Sequence, residues 1–143
     1  MGNISKNFSF SEFEYSDTAI QAGFENKIPS AEVGGAIRSL TLNVLQPLRD
    51  SLAATVIVES GYRCKKLNEM VGGVETSQHR KGEAAYIRSP FYRPLDIARR
   101  IVSLQLPFDQ LILYPGFVHV SHKRKGKQRG QILYNSRYNG EKI

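Results

Sequence analysis

The sequence predicts an α+β fold, a small antiparallel sheet packed against helices. Three observations lead there. Residues 30–52 and 95–104 carry apolar side chains at helical spacing. Short apolar runs at 55–59, 109–114, 117–121 and 132–134 have strand composition and sit beside turn signals such as Pro115-Gly116. Strands joined by short turns pair as hairpins, and helices gathered on one side of such a sheet define the class.

The chain of 143 residues is expected to form one domain over 1–143, with a basic hairpin and tail at 123–143. No apolar run approaches the ~18 residues of a membrane span. No apolar signal core follows Met1, so a cytoplasmic location is expected. The lone Cys64 has no internal disulfide partner. Net charge is +7, and much of the excess lies in Lys123-Arg124-Lys125-Gly126-Lys127-Gln128-Arg129. Such a run marks either an anionic partner or a solvated hairpin tip. No aromatic residue interleaves it to stack on bases, which speaks against nucleic acid and favours the solvated tip.

In chain order, residues 3–15 read as an extended lead-in whose rings, Phe8, Phe10, Phe13 and Tyr15, pin it to the body, with a turn of helix starting near Ser11. Ser16 or Asp17 caps a short helix reaching about Phe24. Pro29-Ser30 opens the main helix, with Ser30 as N-cap and Glu32 in the positive first turn. Its stripe runs Val33, Ile37, Leu40, Val44, Leu48, Leu52, and Pro47 must kink it. A strand follows at 55–59. Residues 64–70 suit a short helix with Leu67 and Met70 inward. Residues 71–74 form a glycine loop. A strand covers 83–88, and Pro90 and Pro94 bracket a loop. The second helix, from Leu95 to Leu104, is closed by Pro107. Strands at 109–114 and 117–121 form a hairpin, and 132–134 is a last edge strand.

Several phrases in this order carry a further signal. They are Asn43-Val44-Leu45-Gln46-Pro47-Leu48-Arg49, Ser60-Gly61-Tyr62-Arg63, Leu67-Asn68 with Val71-Gly72-Gly73, Ser77-Gln78-His79 with Gly82 and Ala84-Ala85, Phe108-Asp109-Gln110-Leu111-Ile112, and Val118-His119-Val120-Ser121. Together they resemble the zinc D-Ala-D-Ala carboxypeptidases and phage L-alanyl-D-glutamate endopeptidases of the hedgehog/DD-peptidase fold, over residues 5–122. The resemblance implies that fold, and an ancestry of enzymes that cut peptidoglycan stem peptides with one zinc ion. It also implies roles for residues. His79 matches the first zinc ligand and His119 the last. The aspartate ligand's position, seven after His79, is Tyr86. The acid/base expected just before the last histidine is missing, because none of residues 114–118 is acidic or histidine. Arg63 matches the arginine that pairs with a substrate carboxylate, and Ser77 and Gln78 are placed to hydrogen-bond a peptide.

Catalytic zinc takes three protein ligands and keeps one open position. A phenol with a pKa near 10 is a poor replacement for a carboxylate. A metal-bound hydroxide also needs a proton carrier, worth about 10²–10⁴-fold. With both pieces lost, the expectation is a relative that no longer hydrolyses and binds stem peptide or a protein partner in the residual cleft, with no cofactor, or zinc if active. The alternatives are an active peptidase with Cys64 or Tyr86 as an unusual ligand, and an anion-binding assembly module built on 123–129. Residue roles have alternatives too: Ser77 as turn structure, Arg63 in a structural salt bridge, His79 and His119 as hydrogen-bonded cleft histidines using the Tyr86 hydroxyl, and Cys64 as a packed thiol. Glu83 and His122 are expected to point away from the site. Access to the wall would follow phage-type lysis.

Overall fold

The computed structural model describes residues 2–143. The lead-in is more structured than an extended segment. It forms a ribbon, β1 (Asn3–Ser5) antiparallel to β2 (Phe8–Ser9), and then α1 (Phe10–Glu14). Glu12 reaches back to the Ser9 N–H at 2.7 Å and closes a capping box. Phe8, Phe10 and Phe13 are buried, whereas Tyr15 is exposed. In α2 (Asp17–Ala22) the Ser16 hydroxyl accepts from Ala19 N–H at 3.1 Å, and left-handed Gly23 ends the helix.

Ser30 caps α3 (Ala31–Leu40), its hydroxyl accepting from Val33 N–H at 3.3 Å. The helix continues through a π-helical turn, Thr41–Leu45, into α4 (Gln46–Leu52). Pro47 has no N–H to offer the preceding turn. The helix widens just before it, and Gln46 N–H bonds Thr41 O, five residues back. The expected kink is thus a wide turn that leaves the stripe intact. Ile37, Leu40, Val44 and Leu48 are all fully buried, each worth about 1.5–3 kcal/mol of apolar burial.

The remaining elements are β3 (Ile57–Ser60), α5 (Lys65–Met70), a 3-10 turn (Gln78–Lys81), β4 (Ala84–Arg88), α6 (Pro94–Ser103), β5 (Gln110–Leu113), β6 (Val118–Ser121) and β7 (Gln131–Tyr134). Met70, expected inward, is exposed, because α5 buries only Leu67 and Asn68. The main sheet has the order β3-β4-β6-β5-β7. Every pairing is antiparallel except β5 with β7, which is parallel.

That exception corrects the expected basic hairpin. Strand β7 lies beside β5 and not beside β6, so residues 123–129 form a crossover past β5. The physical reason is Asp109, a fully buried carboxylate at the start of β5. It accepts from Arg129 N–H at 2.8 Å and from the Arg129 guanidinium at 2.6 Å. Lys123 Nζ approaches it at 3.9 Å. Both ends of the basic segment are drawn to one anion, and the chain then enters β7 with Gln131 N–H on Asp109 O at 2.9 Å.

The sheet has two unlike faces, as period-two alternation requires. Ala85, Ile87, Leu111, Leu113, Val118 and Val120 are completely buried and join the helical stripes in one apolar cluster. The other face carries Tyr86 directly opposite His119, with Ile112 next to His119 on β5. Among the described residues, no helix is long and apolar enough to cross a membrane.

Candidate functional site

The site is built on the face turned away from the core. Cross-strand partners on one face have Cβ atoms about 5 Å apart, so the Tyr86–His119 register places both side chains over the same patch. The 3-10 turn brings His79 to them. Ser77 caps that turn, its hydroxyl accepting from His79 N–H at 3.2 Å. Gly82 ends it at φ +76°, where a Cβ would lie 2.7 Å from Val33 O. Only glycine allows the turn to sit this close to α3.

His79 is held on its other side by the segment that follows β3, Gly61 to Arg63. Its Nδ1 lies 2.8 Å from Gly61 O, and its own carbonyl accepts from Arg63 N–H at 3.0 Å. A carbonyl only accepts, so Nδ1 carries the proton and Nε2 keeps a free lone pair. That Nε2 is buried and has no partner. The rings of His79 and His119 meet edge to face at 5.2 Å. Burial, and then the Arg63 charge, hold both imidazoles neutral: His79 falls well below the ordinary range and His119 falls to about 4.

Tyr86 touches His79 ring to ring at 4.7 Å. The expected hydrogen bond from its hydroxyl to His79 is not formed, since the one free nitrogen there is unpartnered. Instead Tyr86 packs into an aromatic group with Phe117 at 4.5 Å and Tyr114 at 5.4 Å, and those two stack at 4.4 Å. Burial and the neighbouring Tyr86 push the Tyr114 hydroxyl up to about 12. Phenols, not carboxylates, therefore occupy the strand ends around the histidine pair.

Arg63 is buried, and its guanidinium lies 5.2 Å from the Tyr86 ring centre. Its one side-chain hydrogen bond is a long one, 3.4 Å to Asn68 Oδ1. Among the described residues no carboxylate comes within ion-pairing distance of it. The salt bridge weighed for Arg63 is absent there. Gly73 packs beneath this pair, and a Cβ on it would overlap Asn68 Oδ1 at 2.1 Å.

Arg63, Ser77, Gln78, His79, Tyr86 and His119 line one cleft of about 470 Å³. All six residues singled out in the sequence are brought together. Gln78 is partly committed, its amide donating to Asp109 at 3.2 Å and Glu83 at 3.3 Å. The outlying candidates lie elsewhere. Cys64 packs against the apolar cluster, with its N–H on Asn26 Oδ1 at 2.7 Å. Glu83 accepts from Gln78 and from Arg124 N–H. His122 Nδ1 turns to Pro107 O at 2.6 Å. Sequence reasoning gave no role to Tyr114, Phe117, Asn68 or Gly73. Asn68 and Gly73 stood inside quoted phrases, and Tyr114 and Phe117 were noticed only as non-acidic.

Two neutral imidazoles, one with a free buried lone pair, are an invitation to a metal. The donor set stops there. Among the described residues, no group of three or more His, Cys, Asp or Glu is gathered for a cation. The residues present do not fit a catalytic zinc, which takes three good donors.

A search of curated proteins returned no match. The profile of the peptidase M15 family matches residues 6–121, a span that runs from the lead-in to the end of β6 and contains every cleft residue named above. With the sheet, the histidine pair and that match in agreement, the chain belongs to the peptidase M15 family.

Proposed function

We propose that this chain captures the carboxylate end of a peptidoglycan stem peptide in the His79–Arg63 cleft and does not cut it. The observation that carries the reading is Arg63, a mostly buried residue that lines the cleft and lacks a carboxylate partner among the described residues. A cation at the wall of a cleft, partly shielded from water and without an anion, attracts a ligand that brings one. A planar fork suits a terminal carboxylate, and charge-assisted hydrogen bonds are the strong ones. The Ser77 hydroxyl, already accepting from a backbone amide, has its proton to donate to a peptide carbonyl.

The absence of hydrolysis rests on donor chemistry. The family is zinc-dependent, but Tyr86 stands where the carboxylate ligand is expected and Tyr114, Phe117 and Val118 stand where the acid/base is. A phenol whose proton is held to about pH 12, as in Tyr114, is no proton shuttle near neutrality. Calorimetry with a peptide ending in D-Ala-D-Ala tests both halves. Binding is expected in the presence of chelator, weakened about 30–100-fold by Arg63→Ala, in line with about 2–3 kcal/mol for a charged hydrogen-bonded contact. Mass spectrometry of the peptide is expected to show no cleavage. Cleavage together with one tightly held zinc per chain would overturn the reading.

A second reading rests on one observation, the protonated Nδ1 and free Nε2 of His79, which is how a ligating imidazole is set. In that reading a metal binds with Tyr86 as third ligand. Its signature is hydrolysis that both chelator and His79→Ala abolish.

A further inference from the structure

The basic run 123–129 is not one feature in three dimensions. Lys123 and Arg129, its two ends, turn to the buried Asp109. Arg124 and Lys125 turn the other way. There they meet Arg80 and Lys81, from the 3-10 turn, around a pocket of about 260 Å³ that also contains Glu32 and Glu83.

Four cations face two carboxylates, and one of those is engaged. Glu83 accepts from Arg124 N–H at 3.1 Å and from the Gln78 amide at 3.3 Å. Among the described residues, none of the four cationic side chains is in an ion pair. Arg80 Nε is buried without a partner. Arg124 is fixed in place: its Nη1 donates to Glu32 O at 3.1 Å, and it lies across Gly35, where a Cβ would come within 3.0 Å of Nη2. Arg124 is held in place, and the four cations outnumber the two carboxylates of the pocket. The apolar part of the lining is Val33 and Ala36, with no aromatic ring.

We propose that this patch is a second binding site, separate from the peptide cleft, for a linear phosphodiester polyanion read through its backbone. Several cations spread over two segments match a repeating anion better than a single one. Arginine forks suit phosphate oxygens. Without a ring to stack on, the site gives no purchase to unpaired nucleobases, which favours a poly(polyol phosphate) over a single-stranded nucleic acid. The turn that carries His79 into the cleft carries Arg80 and Lys81 to this patch. Anchoring on the polymer leaves the cleft open.

The test uses the full chain and labelled poly(glycerol phosphate), with fluorescence anisotropy between about 50 and 200 mM salt. Lys81→Ser with Lys125→Ser, both outside the cleft, is expected to weaken binding at least about tenfold at the lower salt. It is also expected to flatten the log–log salt slope by about 1.4–1.8, the share of two phosphate contacts. Lys6→Ser with Lys27→Ser removes the same charge elsewhere and is expected to change affinity less than about twofold. Equal losses in the two pairs mean diffuse attraction and overturn the proposal, as does no binding by the unaltered chain. Tighter binding of an oligothymidylate of equal charge overturns the base-free assignment. None of these outcomes depends on whether the cleft binds or cuts peptide.

Discussion

Two arginines line the same cleft, and the protein treats them differently. Arg129 closes on a buried carboxylate, giving Asp109 Oδ1 and Oδ2 four hydrogen bonds between 2.6 and 3.1 Å. Burial alone would raise the Asp109 carboxyl. The Arg129 bonds and charge outweigh it and hold the group below the ordinary range. Arg63 is itself buried, yet it finds only a tyrosine ring and a long bond to an amide oxygen. The first arginine is fully explained by the fold, because it decides which way β7 runs. The second is not, and the missing anion is what a ligand would bring.

Supplying that anion from within should have the largest effect. Tyr86→Asp places a carboxylate between Arg63 and the histidine pair and completes a three-donor set. Zinc retained after dialysis, measured by elemental analysis, is expected to rise from a small fraction to one ion per chain, an affinity gain of at least about 1,000-fold. No gain would mean that the cleft has lost more than one donor. The opposite change breaks the other arginine. Asp109→Ala strips Arg129, Gln78 and the crossover of their shared acceptor, and is expected to cost about 3 kcal/mol in urea unfolding. Arg129 is half exposed, so the loss stays below that of a wholly buried pair.

Acid tests the histidine pair beside Arg63. An unfolded imidazole titrates near 6.5, and folded His119 near 4. Above pH 6.5 both states are neutral and the full stability is present. Between 6.5 and 4 only the unfolded state takes the proton, so stability falls as pH falls, by up to about 3 kcal/mol. Urea titrations across that window should show the slope, and His119→Gln should make it shallower, the remainder coming from His79, which is also held neutral. Gly73→Ala is smaller: its Cβ must displace Asn68 and with it Arg63, an overpacking cost of about 2 kcal/mol, read as a lower unfolding midpoint. Smallest is Arg63→Ala, expected to change stability by less than about 1 kcal/mol, since only a ring contact and one weak bond are lost. A large destabilisation there would make Arg63 structural and remove its contrast with Arg129.

Much of this was legible in the chain. The stripe from Val33 to Leu52 gives the main helix because 3.6-residue periodicity is a local property, and Ser16 and Ser30 sit where N-caps are needed. His79, His119 and Tyr86 could be picked out because each occupies a position within a fixed phrase. The direction of β7 could not be, because it is set by Asp109 and Arg129, twenty residues apart. The same holds for the aromatic group. Tyr114 and Phe117 read as absent acids, and only the sheet shows that they wall in Tyr86.

By itself, the amino-acid order determined the helices and most of the strands, because spacing, caps and turn residues act within a few positions. Only the tertiary structure decided which charges cancel. It spent Lys123 and Arg129 on Asp109, left Arg63 without a carboxylate among the described residues, and gathered Arg80, Lys81, Arg124 and Lys125 into one patch. Pairing depends on distances of a few ångströms across elements far apart in the chain, and those distances exist only once the sheet has formed.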